Sequence, residues 1–284
     1  MSARSTNHGA DTPEPKKYSR REALGLGAGA LFSLGLWPGA LRAEGQGNSG
    51  EFRFIVVNDL HYVDDNCGKY FERVVAQMKA APQKAELCLI VGDYADHGKA
   101  AELAAARDVF KTLGVPTYGV IGNHDYLTQT DRQAYEDIFP ERLNYFFEHR
   151  GWQFLGLDTT EGQRSASTRI QPATMQWLDD RLPKFDKQRP MIVFTHFPTG
   201  PLVPSRPLNA DALLDRFKDY NLQAVFSGHF HGFTERQIGN ATLTTNKCCS
   251  NARGNHDGTK EKGYFLCQAR EGKFNRTFVE VKPV

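Results

Sequence analysis

Five short apolar runs in this chain each lead into a residue that can bind a metal. Phe52–Val57 leads into Asn58-Asp59-Leu60-His61, Leu87–Val91 into Gly92-Asp93, and Thr117–Ile121 into Gly122-Asn123-His124-Asp125. Met191–Phe194 leads into Thr195-His196, and Ala224–Phe226 into Gly228-His229-Phe230-His231. Stretches with helical spacing lie between these runs. Tyr70–Ala81 carries Phe71, Val74, Val75 and Met78 on one face, Ala100–Leu113 stops at Gly114 and Pro116, Pro172–Leu182 opens on proline, and Ala210–Tyr220 follows. This is βαβ-like alternation and predicts an α/β fold. In such folds sites assemble at the carboxyl ends of strands, where rigid strands deliver converging loops.

The other elements read as β. Tyr145–Glu148 and Trp152–Leu157 form a hairpin around Arg150-Gly151, and Ala241–Thr245, Gly263–Gln268 and Arg276–Val281 are strand-like. No internal repeat is present. Taken singly, each polar junction has an ordinary explanation: Asp59-x-His61 can be a capped turn, and His196 a satisfied core histidine. Taken together, five junctions delivering Asp, Asn or His have no packing purpose, and Asp59, His61, Asp93, Asn123, His196, His229 and His231 are the candidate metal ligands. On an extended segment, the i and i+2 spacing puts Asp59 with His61, and His229 with His231, on one face. It leaves Phe230 to point inward.

A set of this size suits two metal ions. A pair about 3.5–4 Å apart needs a shared carboxylate, activates water and neutralises phosphoryl charge. Mixed Asp, His and Asn donors favour Fe, Mn or Zn over Mg or Ca and require no cysteine. The order D-x-H, G-D, G-N-H-D, H, G-H-x-H from Asp59 to His231 resembles the calcineurin-like metallophosphoesterase superfamily. That resemblance implies a four-layer sandwich of two mixed β-sheets flanked by α-helices, with the site at one edge.

The resemblance further implies that Asp59, His61 and His231 hold one ion, that Asn123, His196 and His229 hold the other, and that Asp93 bridges them. His124 is then the catalytic proton donor to the leaving oxygen or a stabiliser of the phosphoryl charge, with Asp125 orienting its ring, and a metal-bridging hydroxide is the nucleophile. The implied activity is hydrolysis of small-molecule phosphate esters. Phosphodiesters are slightly favoured, because His124 can protonate an alkoxide leaving group. A phosphomonoesterase, or a metal-binding protein without turnover, is the alternative.

A second Gly-Asn-His-Asp, residues 254–257, follows the polar run Ser250-Asn251-Ala252-Arg253 instead of a strand. It reads as a surface loop near the site, from which Arg253 or His256 can touch substrate phosphate. Asp96 reads as a loop-shaping residue, and His97, His149, Asp64 and Asp65 as structural. Specificity is expected in the loops Tyr62–Lys69, Tyr126–Arg132, Glu161–Ile170 and Pro198–Asn209. Tyr62, Tyr126 and Phe230, near the motifs, either stack a base or merely pack.

The N-terminus carries a different signal. Ser19-Arg20-Arg21-Glu22-Ala23-Leu24 precedes an uncharged run from Ala23 to Leu41 rich in Gly, Ala and Leu. It resembles a twin-arginine export signal, with Leu41-Arg42-Ala43 as the cleavage site. Residues 1–43 are thus expected to be a leader, 44–50 a linker, and 51–284 one domain. The expected partner is the Tat export machinery, the location periplasmic or extracellular, and no stable membrane span is expected after cleavage.

The leader holds six Lys or Arg and three Asp or Glu, leaving 29 and 30 in the rest, so the body is nearly neutral and carries no nucleic-acid footprint. Five cysteines give no disulfide framework. Cys88 lies in an apolar run, Cys248 and Cys249 are adjacent, and Cys67 and Cys267 pair only if the fold brings them together.

Overall fold

Strand β1 (Phe52–Val57) turns Phe52, Phe54 and Val56 to one side and Ile55 and Val57 to the other, and all five are buried. A strand buried on both faces belongs inside a sheet covered on both sides. The computed structural model describes residues 50–282 and places β1 at the centre of a five-stranded sheet. The expected leader, and all but the last residue of the expected linker, lie outside the described residues.

In that sheet β1, β2 (Leu87–Val91) and β3 (Thr117–Val120) run parallel. The antiparallel pair β10 (Gly263–Arg270) and β11 (Lys273–Glu280) completes it on the other side of β1. The second sheet is ordered β4 (Tyr145–His149), β5 (Trp152–Leu157), β6 (Met191–Thr195), β7 (Leu222–Ser227), β9 (Ala241–Thr245), β8 (Thr234–Ile238). Its four inner strands are parallel and its two edges antiparallel.

Side-chain alternation sorts the apolar residues into three cores. Between the sheets, Phe52, Phe54 and Val56 meet Trp152, Phe154, Phe194 and Phe226. Phe54 packs edge-on to Phe154 and Phe226 at 5.8 and 6.1 Å. Burying each such ring contributes about 1.5–3 kcal/mol. The opposite face of the first sheet packs on α1 (Asp65–Lys79), α2 (Ala100–Lys111) and α3 (Gln133–Ile138), through Phe71, Val75, Phe110 and Tyr135. That of the second sheet packs on α4 (Pro172–Arg181) and α5 (Ala210–Asp215) through Leu178 and Leu213. Three cores separate four layers, and the fold is the α/β sandwich that the sequence pattern and resemblance implied.

Several local expectations change. Helix α1 begins at Asp65, not Tyr70, because the Asp64 side chain accepts the Asn66 and Cys67 N–H groups and caps it. Residues 62–69 are therefore largely a helix start and not an open loop. Helix α5 ends at Asp215 and not Tyr220; Phe217 and Lys218 close tighter turns onto Leu214 and Asp215. Helix α3 and strand β8 escape sequence reading, one too short for a period and the other a polar edge. All five cysteines are buried and unbonded, with Cys67 on the helix side of the first sheet and Cys267 between the sheets. Among the described residues no helix is long and apolar enough to cross a membrane.

Candidate metal centre

The carboxyl ends of β1, β2 and β3 meet those of β6 and β7. Asp59, His61, Asp93 and His231 form one group whose potential ligand atoms lie within 4.8 Å of one another, and Asp93, His196 and His229 form a second. Asp93 belongs to both. Asn123 joins the second group, its Oδ1 lying 3.1 Å from His196 Nε2. Backbone bonds stitch the loops together: Asp59 N–H donates to the Gly92 carbonyl, His61 N–H to that of Asp93, and Gly228 N–H to that of His196.

The local backbone differs from the extended form the spacing suggested. Asp59, His61, Asp93, His229 and His231 all adopt left-handed conformations, with φ between 47° and 64°. Each such residue costs roughly 1–2 kcal/mol relative to the right-handed region. Five of them at one centre are strain the rest of the fold must hold in place. The paired residues share the site through these turns and not through the pleat of a strand. Phe230 does not point inward; it lines the cleft.

The glycines have an equally local reason. A Cβ on Gly92 would lie 2.3 Å from His196 Nδ1, and one on Gly122 would lie 2.1 Å from Asp93 Oδ1. Each glycine leaves room for the ligand presented by a neighbouring strand.

Every cluster histidine has one nitrogen committed outward. His196 Nδ1 donates to the Val91 carbonyl at 3.0 Å, and His231 Nδ1 to that of Gly254 at 3.0 Å. His229 Nε2 donates to the Ser165 carbonyl at 2.8 Å. His61 Nδ1 makes an oblique contact with Asp96 Oδ1 at 2.9 Å. The three carbonyl anchors fix the tautomers of His196, His229 and His231 and leave one lone pair on each of those rings aimed inward, and the Asp96 carboxylate favours the same arrangement at His61.

The inward atoms come in two close pairs, His61 Nε2 with His231 Nε2 at 3.1 Å and His196 Nε2 with His229 Nδ1 at 3.2 Å. Two lone pairs at that distance repel unless a cation or proton lies between them. Asp93 Oδ2 stands 3.5 Å from His61 Nε2 and 3.3 Å from His196 Nε2, facing both pairs through one oxygen. Its Oδ1 accepts the His124 N–H at 2.9 Å. The donor set is thus suited to two metal ions flanking one shared carboxylate oxygen.

The protonation pattern of the metal-free chain tells the same story. Burial opposes charging either ring, yet Asp59 lifts His231 to about 11, and Asp93 with Asp59 lifts His196 to about 9. Burial, and then the nearby charge of His196, push His229 down to about 4. His61 is lowered by burial. Burial raises Asp59 and Asp93, but the histidines outweigh it and hold both carboxyls below the usual range. Each nitrogen pair therefore has one ring that takes a proton and one that stays neutral.

Around the cluster, Asp96 plays a larger part than loop shaping. Besides facing His61, its carboxylate takes two hydrogen bonds from Arg253 at 2.7 and 2.9 Å. Its carbonyl accepts His124 Nδ1–H at 2.9 Å, which turns the other nitrogen of that part-exposed ring toward the cleft. His61, Asp96 and His124 thus approach one another closely, with Asp96 between the two rings.

The expectation that Asp125 orients His124 is corrected. Asp125 is buried and accepts the Ala95 and Gly122 N–H groups at 2.9 and 2.8 Å, so it braces the two loops. Burial and the nearby Asp93 push its carboxyl up to about 8. Asn58, which the sequence reading passed over, donates to Asp59 Oδ2 and to the Asn246 carbonyl and so fixes a cluster carboxylate. Its only sequence signal was an uncharged polar residue at the buried end of β1.

A cleft of about 550 Å³ opens over the cluster. It is lined by His124, Phe230, Arg253 and His256, with Ser165 and Ser205 from two of the expected specificity loops. The His256 ring stacks on His231 at 4.6 Å. Tyr62 and Tyr126 are buried: Tyr62 stacks on Phe71, and the Tyr126 hydroxyl bonds Thr160. Of the three aromatics considered for base stacking, Phe230 alone lines this cleft. Asp64 caps α1, while His97 pairs with Glu102 and His149 with Glu86.

A family model described as calcineurin-like phosphoesterase matches residues 52–233. The chain is 27% identical over 199 residues to a glycerophosphodiester phosphodiesterase of Enterobacter lignolyticus, covering 65% of this chain and 69% of that protein. It is 27% identical over 153 residues to a probable cyclic nucleotide phosphodiesterase of Synechococcus, covering 51% and 58%. Less than two thirds of the second relative is therefore spanned. Among solved structures, a purple acid phosphatase from yellow lupin aligns over 83% of this chain and 52% of its own, with TM-score 0.61 and 12% identity. GAP50 of Plasmodium aligns over 82% and 85%, with TM-score 0.57 and 16% identity. At these identities both speak for the fold alone.

Proposed function

The chain belongs to the calcineurin-like phosphoesterase family, and on that premise we propose that it is a dinuclear-metal hydrolase of small-molecule phosphate esters, with phosphodiesters preferred. The observation that carries this reading is the two facing nitrogen pairs on either side of Asp93 Oδ2, an arrangement suited to one metal ion in each. In this reading Asp59, His61 and His231 hold one ion, and Asn123, His196 and His229 the other, with Asp93 shared. Fe, Mn or Zn, when bound there, neutralises phosphoryl charge and makes a water acidic enough to attack at neutral pH.

The chain's own residues supply the rest. His124, held through Nδ1 by the Asp96 carbonyl, presents Nε2 to the cleft and in its charged form donates a proton to the departing oxygen. Asp125 and Asn58 keep the loops and Asp59 in register, so that little reorganises when substrate enters. The preference for diesters is supported by that proton donor, which an alkoxide leaving group needs, and by the phosphodiesterase names of both relatives.

The test compares bis-p-nitrophenyl phosphate with p-nitrophenyl phosphate on protein loaded with Mn, Fe or Zn. Faster turnover of the diester is expected. Faster turnover of the monoester reverses the preference, and two bound ions with no turnover of either ester favours a metal-binding protein without catalysis.

We also infer that the protein is exported through the Tat machinery to a periplasmic or extracellular location. The support is Arg20-Arg21 ahead of the uncharged run 23–41. Replacing both arginines by lysine should retain the protein in the cytoplasm, and undisturbed export refutes the inference.

A further inference from the structure

Arg253 reaches the cleft from beyond the family-matched residues 52–233. Its loop is built: the Ser250 hydroxyl accepts the Ala252 and Arg253 N–H groups at 3.0 Å, and Lys262 Nζ donates to the Arg253 carbonyl. Its side chain is pinned as well. Nε donates to Asp96 Oδ1 and Nη2 to Asp96 Oδ2, a two-point grip that fixes the plane of the guanidinium. Nη1 has no hydrogen-bond partner among the described residues, and the side chain is 43% exposed. Apart from Asp93, the carboxylate shared by the two metal groups, no acidic side chain among the described residues lines this cleft.

We propose that Arg253 contacts the substrate directly, its Nη1 donating to a non-bridging oxygen of the phosphoryl group seated over the metal cluster, and that it sets the affinity for that group. This assignment rests on the phosphoesterase reading of the same site. The geometry favours it because a pre-placed guanidinium loses little freedom when it bonds an oxyanion. Asp96 sets the distance of approach, since the carboxylate that grips Arg253 also faces His61, and its carbonyl holds His124.

The experiment measures binding of inorganic phosphate to the manganese-loaded full chain by titration calorimetry, with manganese content and melting temperature determined in parallel. Arg253→Ala should keep two manganese ions and a near-native melting temperature while weakening phosphate binding about tenfold or more. Arg253→Lys should fall between them, because a single ammonium does not grip both Asp96 oxygens with the same fixed plane. On the diester the loss should appear mainly in KM.

If Arg253 only braces Asp96, Arg253→Ala will lose manganese, and the loaded fraction will bind phosphate as the wild type does; that outcome overturns the proposal. Wild-type protein that takes up manganese yet binds no phosphate overturns it too. Wild-type protein that binds phosphate through Arg253 but hydrolyses neither ester leaves this assignment standing and removes the catalytic reading, so the two failures are distinguishable.

Discussion

His61 Nε2 lies 3.1 Å from His231 Nε2, and the other nitrogen of each ring faces an acceptor outside the cluster, Asp96 for His61 and Gly254 for His231. Neither inward nitrogen is free to serve as a neutral N–H donor without losing its outer contact. The contact is therefore bridged by a proton or by a metal ion, and the pair His196 and His229 repeats the arrangement. The same outer acceptors that look like ordinary loop bonds thus decide what the centre can hold.

Metal loading should release protons. His231 at about 11 and His196 at about 9 each carry one at pH 7 in the metal-free chain. Binding two ions should displace about two protons per chain, and affinity should rise with pH. Titration calorimetry in buffers of different ionisation enthalpy measures the count; no dependence on buffer contradicts the protonation pattern. Stripping the ions with a chelator should lower the melting temperature, since the ions bind the folded chain preferentially.

Asp93→Asn should reduce bound metal from two ions to one or fewer. An amide in place of the shared carboxylate removes the charge that faces both nitrogen pairs. Metal affinity should fall by at least about 100-fold, and hydrolysis with it. Metal analysis of the purified variant checks this, and two tightly held ions would remove Asp93 from its bridging role.

His124→Ala should leave two ions bound and lower kcat by about 10²–10⁴ on esters with alkyl leaving groups. The loss should be smaller with p-nitrophenolate, which leaves without a proton. Turnover across a series of leaving-group pKa values measures the difference, and an equal loss on all of them contradicts proton donation by His124.

Glu86 gives a stability prediction away from the centre. Partial burial raises its carboxyl, but Arg150 and His149, in contact at 2.7 and 2.8 Å, outweigh this and hold it below 4.5. A lowered folded pKa contributes stability above the unfolded value, and that contribution disappears as pH falls through the folded one. Glu86→Gln should therefore lower stability at pH 7 by less than about 1 kcal/mol and match the wild type under strongly acid conditions. Denaturation midpoints across pH 3–7 test the sign.

Much of the fold was legible because strand burial writes itself into sequence. The run Phe-Arg-Phe-Ile-Val-Val of β1 and the all-apolar β2 lead to sites without any contact being known. Helix α3 and strand β8 were not legible, since six residues hold less than two helical turns and an edge strand of alternating polar residues resembles a loop. The start of α1 at Asp65 was hidden because its first turn, Asp65-Asn66-Cys67-Gly68-Lys69, is mostly polar and contains a glycine, and the cap from Asp64 shows only in the structure.

The sequence by itself determined which residue types come to the centre and in what order, because strand-to-loop junctions deliver side chains with little help from distant residues. The tertiary structure alone decided which nitrogen of each histidine faces inward, that Asp93 presents one oxygen to both pairs, and that Asp96, not Asp125, holds His124. It also brought Arg253 across 157 residues to Asp96. Tautomers and carboxylate orientations are set by whichever acceptors other loops bring within about 3 Å, and that proximity exists only once the two sheets have packed.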